Sequence, residues 1–197
     1  MSAKLPTQRQ RLTLDRPDLS AREADKLIAP HADSWPWSTS LIRVQSAGAV
    51  APNGRLSVGV GAWYFSYWCS AREVGIIYGL FYNGNLSYQY PISRNGAPLP
   101  TEIENSWIDS IDIATRVAAE PPPTDGKDIH LSHLALHGSA QRQCWEAWRT
   151  DYSAENRIMR KQTLLLDAES GAIVFDAFEV SENGVCIHST QHVRGPR

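Results

Sequence analysis

Cysteine is scarce in this chain: three in 197 residues, Cys69, Cys144 and Cys186. Three scattered thiols cannot form the framework of a disulfide-stapled domain, and the odd count suits free thiols in a reducing compartment, so cytoplasmic residence is expected. Long apolar runs are missing too. No window reaches the roughly 18 apolar residues of a membrane helix, and Met1 to Arg16 is too polar for a signal peptide, so no membrane partner is expected. Charge of one sign is lacking: 19 Lys and Arg face 21 Asp and Glu, a net charge of -2. That excludes the basic footprint of a nucleic-acid binder and the strongly acidic surface of a nucleic-acid mimic. The chain holds no G-x-S-x-G, no P-loop and no G-x-G-x-x-G opening a helix; Gly59-Val60-Gly61 is not followed by helix signals.

What is present suffices for a packed domain, with 42% hydrophobic and 20% charged residues. Ser20-Ala21-Arg22-Glu23 is a capping box that opens a helix, Ala24, Leu27 and Ile28 recur on one face, and Pro30 is expected to end it. Strand-like runs follow at 41–50, 56–69, 74–82 and 86–92, with Asn83-Gly84 between the last two as a type I′ hairpin signal. Asn95-Gly96, Pro98 and Pro100 mark a linker. Thr101 and Glu104 read as a second capping box, with Ile103, Trp107, Ile111, Ala114 and Ala118 on one helical face. Pro121-Pro122-Pro123 and Asp125-Gly126 close that helix. Further strands are expected at 129–137, 143–152, 158–167 and 172–180, and a last one at 185–193 after Asn183-Gly184.

The two series have the same order and nearly the same spacing, Ser20 matching Thr101, Trp63 matching Trp145 and Gly84 matching Gly171. The expected fold is therefore α+β: two similar halves, each one helix packed on an antiparallel sheet of about four strands. The boundaries are a flexible N-terminal arm at 1–19, a first half at 20–94 and a second at 95–193, with a frayed tail from Arg194. The segment from Trp145-Glu146-Ala147-Trp148 to Asp167-Ala168-Glu169-Ser170-Gly171-Ala172-Ile173 resembles the PepSY pattern, a tryptophan-bearing strand followed by one ending in Asp-x-x-x-Gly-x-hydrophobic. Tyr82-Asn83-Gly84-Asn85-Leu86 departs from that pattern in the first half. The resemblance, which extends to tandem cystatin-like modules, implies a binding or inhibitory unit.

The most unusual stretch is Trp63-Tyr64-Phe65-Ser66-Tyr67-Trp68. In a strand it puts aromatic rings on both faces. Such a strand is either sandwiched in the core or offers one face to a partner, because Tyr and Trp bring large rigid area with a polar tip. On the second reading the candidate binding residues are Trp63, Phe65, Tyr67, Tyr78, Tyr82 and Tyr88. No metal site or cofactor is expected. His130, His133 and His137 have a suggestive spacing, but on a strand the last two stand about 13 Å apart, too far to share an ion. Cys186, His188 and His192 complete no ligand set. Cys69 and Cys144, each near a tryptophan, read as inert buried thiols.

Three functions compete. The first is a non-catalytic protein-binding module, such as a bacterial immunity or inhibitor protein that neutralises a toxin or enzyme; another protein is then the partner, and a homodimer is compatible. The second is an enzyme or ligand carrier with an apolar pocket lined by Trp63, Tyr67 or Trp107. The third is an assembly component of a phage or secretion apparatus.

Overall fold

The computed structural model describes residues 9–48, 50–93, 100–123, 129–138, 142–155 and 157–194. The expected linker residues Asn95, Gly96 and Pro98, the Asp125-Gly126 turn, the first eight residues of the arm and the last three tail residues lie outside them. Ten strands and two helices follow in the order β1 (Arg9–Arg11), α1 (Ala21–Asp33), β2 (Ser40–Ala47), β3 (Ala62–Cys69), β4 (Val74–Phe81), β5 (Asn85–Ile92), α2 (Ser110–Ala119), β6 (His130–Gly138), β7 (Gln143–Ser153), β8 (Ile158–Asp167), β9 (Ile173–Glu182) and β10 (Val185–Val193).

All ten strands form one antiparallel sheet, in the order β1-β5-β4-β3-β2-β6-β7-β8-β9-β10. This corrects the expectation of two halves, each with its own four-stranded sheet. The first strands after the two helices, β2 and β6, pair with each other through Arg43↔His137, Val44↔Leu136 and Gln45↔Ala135. A meander therefore leads outward in each direction from one shared ladder. Residues directly opposite across a ladder share a face. Phe65, Val44, Leu136 and Trp145 are linked in this way across four strands, which places the main core on one side of the sheet. α1 lies over β3 and β4, and α2 over β6.

The helix starts meet head to head. α1 has its capping box: Ser20 accepts from the Glu23 N–H, and Glu23 accepts from the Ser20 N–H at 2.8 Å. The residues opening α2 cap α1 as well, since the Ala21 N–H donates to Ser110 Oγ at 2.9 Å and the Arg22 N–H to Asp109 Oδ1 at 3.1 Å. Four donors at a helix start lack intrahelical partners, so this contact satisfies groups that would otherwise need water. Each start is also pinned to the sheet by an indole: Trp63 Nε1 donates to the Leu19 carbonyl and Trp145 Nε1 to the Ile108 carbonyl, both at 3.0 Å.

Local expectations fare unevenly. Pro30 lies inside α1, which runs on to Asp33; the Ser34 N–H closes the last turn on the Pro30 carbonyl at 3.2 Å. α2 starts nine residues after Thr101, with Asp109 as its N-cap. Ile103 and Trp107 are buried ahead of the helix, where Ile103 N–H binds the Leu41 carbonyl at 2.7 Å. The Asn83-Gly84 hairpin has positive φ only at Gly84, +81°, and so is not type I′; Asn183 and Gly184, at +52° and +79°, satisfy that turn's demand.

Candidate functional site

The aromatic stretch that opened the case for a binding face is core. Trp63, Phe65 and Tyr78 are at most 1% exposed and Tyr67 6%, all beneath α1. Tyr78 and Tyr67 meet edge to face at 6.0 Å between ring centres, and the Tyr78 hydroxyl donates to the His31 carbonyl at 3.1 Å. The Tyr67 hydroxyl is buried without a protein partner. Burial, with Asp25 and Asp33 nearby, pushes its pKa far above the usual phenol value. Tyr88 leans on Tyr78 at 6.4 Å and is half-buried. Tyr82 borders a groove of about 490 Å³ beside Leu12, Leu14, Pro17 and Asn83. Trp107, offered as a pocket wall, is filled in against Trp145 and under the Arg22 guanidinium, which sits 3.5 Å from its ring centre.

The other sheet face holds a polar cluster on β6 and β7. Glu146 uses both oxygens, one accepting from Trp148 Nε1 at 2.7 Å and the other 3.1 Å from His137 Nε2. Trp148 stacks on His133 at 4.3 Å and carries the Lys161 ammonium 3.6 Å from its ring centre. His133 Nδ1 is 3.2 Å from Ser46 Oγ, which accepts from the Leu134 N–H. Burial pushes both histidines below the usual imidazole range, against the pull of Glu146 and with the help of Arg43. These contacts join residues of the cluster to one another, and together they read as a sheet-stiffening network. Among the described residues no group of three or more His, Cys, Asp or Glu could hold a metal ion.

The Asp-x-x-x-Gly segment is a turn with its own logic. Asp167 Oδ1 accepts from the N–H groups of Glu169 and Ser170 and from Ser170 Oγ, and Gly171 takes φ +68°. Those donors hold the Asp167 carboxyl below the usual range, led by the Ser170 N–H.

Sequence reasoning missed the feature most open to a partner: β10. Eight of its nine residues are exposed, with Val185 65%, Ile187 58% and Val193 85% accessible. Among the described strands its one neighbour is β9, so a row of main-chain donors and acceptors faces away from the sheet. Its sequence, Val-Cys-Ile-His-Ser-Thr-Gln-His-Val, carries no Asp, Glu, Lys, Arg or Pro. Edges are normally blunted by shortness, charge or proline. The opposite edge, β1, is three residues long and reads Arg-Gln-Arg. A bulge falls at Ile187, and from His188 to Val193 the register with β9 is unbroken. Cys186 is exposed, and its Sγ lies 3.4 Å from the His188 carbonyl rather than against an imidazole. The signal available beforehand was the run of β-branched residues without a charge, which a central strand shares.

Comparison with protein-family models, with curated proteins and with solved structures gives no match. Among the described residues no helix is long and apolar enough to cross a membrane.

Proposed function

We propose that the chain is a non-catalytic protein-binding module that docks an extended segment of another protein along β10. The observation that supports this is the unblunted edge: nine residues long, exposed on both faces, without charge, and carrying three accessible aliphatic side chains. Strand addition draws its affinity from main-chain hydrogen bonds and its specificity from alternate side chains. A neutral edge accepts either sign of partner, so the rows of Val185, Ile187 and Val193 on β10 would select for an apolar strand.

The buried aromatic cluster has a different role under this reading. It anchors the sheet to the helices so that the docking edge stands on a rigid frame. The inhibitor form of the proposal, in which the docked protein is a toxin or enzyme, is the special case where the added strand belongs to that protein's functional surface.

The test is affinity capture with the wild-type chain and with Ser189→Lys/Gln191→Lys, under reducing conditions. Both positions are exposed. Proteins held by the wild type should be lost from the variant, and adding a purified captured protein should slow amide exchange in β10. Capture unchanged by the double substitution overturns the proposal.

A further inference from the structure

We infer that in the absence of another partner the β10 edge is occupied by β10 of a second copy of this chain, forming a reversible antiparallel dimer. This rests on the reading of β10 as a docking edge and names the edge's first occupant.

Self-pairing follows from three properties of the strand. The first is charge. β10 contains no Asp, Glu, Lys or Arg, so two copies meet without the like-charge cost of such side chains, which normally keeps edges apart. The acidic residues of β9, Asp176, Glu179 and Glu182, stand one strand further in. Across a paired edge the two β9 strands would be three strand spacings apart, about 14 Å, beyond the screening length at physiological salt.

The second is symmetry. Every neighbouring pair in the sheet is antiparallel, and a two-fold axis beside β10 continues that pattern. The unbroken stretch His188–Val193 puts the axis near Thr190. Ser189 then stands opposite Gln191 of the second copy, and the exposed Val193 ends level with the bulge at that copy's Ile187, which brings exposed aliphatic side chains together. Such an interface is isologous and closes at two chains. The alternative of β10 against β1 of a second copy would be head to tail and open-ended, and the described part of that edge is the three residues Arg9–Arg11.

The third is size. A nine-residue strand is about 30 Å long, and adding one strand at its side covers roughly 700 Å² over both chains. That is below the ~1,200 Å² at which stable complexes begin. The dimer is therefore weak, with dissociation in the micromolar range, and gives way to a better-fitting strand.

Sedimentation velocity across about 1–200 µM, with reductant present to keep Cys186 reduced, tests this. The wild-type chain should pass from monomer to dimer, and its β10 amides should become protected as concentration rises. Ser189→Lys/Gln191→Lys and Ser189→Glu/Gln191→Glu should each weaken dimerisation at least tenfold, with unchanged circular dichroism and melting. An equimolar mixture of the two should dimerise again, because lysines then face glutamates across the axis. A dimer that survives the lysine pair, or a charge-swapped mixture that stays monomeric, overturns the inference. So does a wild-type chain that remains monomeric at 200 µM; if that chain still loses its captured proteins on Ser189→Lys/Gln191→Lys, the docking edge stands and self-pairing alone is refuted.

Discussion

β3 and β10 are of nearly equal length, eight and nine residues, and both have the composition of a good strand. Six of the eight residues of β3 are buried, while eight of the nine of β10 are exposed. Their difference lies in sheet order. β3 sits between β2 and β4 with α1 above it, whereas β10 has β9 on one side and no described strand on the other. Aromatic richness therefore marks the strand that the fold covers most completely, and a bland aliphatic strand carries the open surface. Accessibility belongs to the position a strand takes, and the proposed interface follows accessibility.

The comparison breaks most sharply at Trp63. This fully buried indole fills the space under α1 and donates to the Leu19 carbonyl. Trp63→Ala is expected to cost about 3–5 kcal/mol, the range for emptying a large aromatic site. Trp63→Phe should cost less, about 1–2 kcal/mol, mostly for the orphaned carbonyl. Denaturant melts of the two variants measure this. If Trp63→Ala loses under 1 kcal/mol, β3 is not the packed counterpart of β10 drawn here.

Next comes Arg149, the charged residue that joins the covered region to the uncovered one. It is 6% exposed on β7. Its guanidinium donates to the Val117, Glu120 and Pro121 carbonyls at the end of α2, at 2.9 to 3.2 Å, and to Gln162 Oε1. A cation there offsets the negative end of the helix and satisfies carbonyls that α2 leaves open. Gln162 passes the network to Asp176 at 3.0 Å, and Arg194 bonds both Asp176 and Glu120. Arg149→Met should cost about 2–4 kcal/mol, since several charge-assisted bonds go and buried carbonyls are stranded. Hydrogen exchange should show α2's last turn and β9 loosening before β3. Uniform loosening would show that the network does not join them.

These effects mark what was legible in the sequence. Alternation located β2 and β4 to β10 within a few residues, because burial on one face is a period-two signal: β7 shows Trp145, Ala147 and Arg149 buried between half-exposed neighbours. The run expected at 56–69 becomes a strand only at Ala62, and Arg9–Arg11, expected in a flexible arm, pairs with β5 as β1. Ser20 and Glu23 are a local device and were readable as one. The Thr101 box was not a helix start, since Ile103 and Trp107 are buried from the irregular segment ahead of α2 and only coincide with helical spacing. The β2–β6 ladder was illegible because it joins residues some ninety positions apart through three pairs, and nothing in Arg43-Val44-Gln45 names its partner. That one ladder decides whether there are two sheets or one. It also leaves β10 at the rim; the sequence reads Cys186 and His188 as lying on an edge strand, but nothing in it marks that edge as the one left open for a partner.

Smaller again is a dependence on pH at the polar face. Burial leaves His133 and His137 below the ordinary imidazole range, so the folded chain holds them neutral at a pH where the unfolded chain protonates them. The unfolded state then binds more protons, and stability is greatest above the unfolded value near pH 6.5 and falls as pH drops through it. His133→Gln/His137→Gln should flatten that slope between about pH 7 and 5. A slope unchanged by the double substitution would assign the acid sensitivity elsewhere, with Asp167 and Glu23 the next groups, both depressed and both losing their contribution only below about pH 4.

The smallest expected change in stability is at β10. Ile187 is 58% exposed and sits at the bulge, so Ile187→Lys removes little packing. Its effect on the unfolding free energy of the monomer should stay within about 0.5 kcal/mol, as for ordinary surface substitutions. Association is a separate matter: a lysine at that point of an otherwise uncharged edge should still lower it, because the added charge must be desolvated when a strand is laid alongside. A variant that melts like the wild type and yet no longer pairs separates the two jobs of the sheet. If Ile187→Lys instead destabilises the chain by more than 1.5 kcal/mol, β10 is part of the folded core in solution and the contrast with β3 disappears.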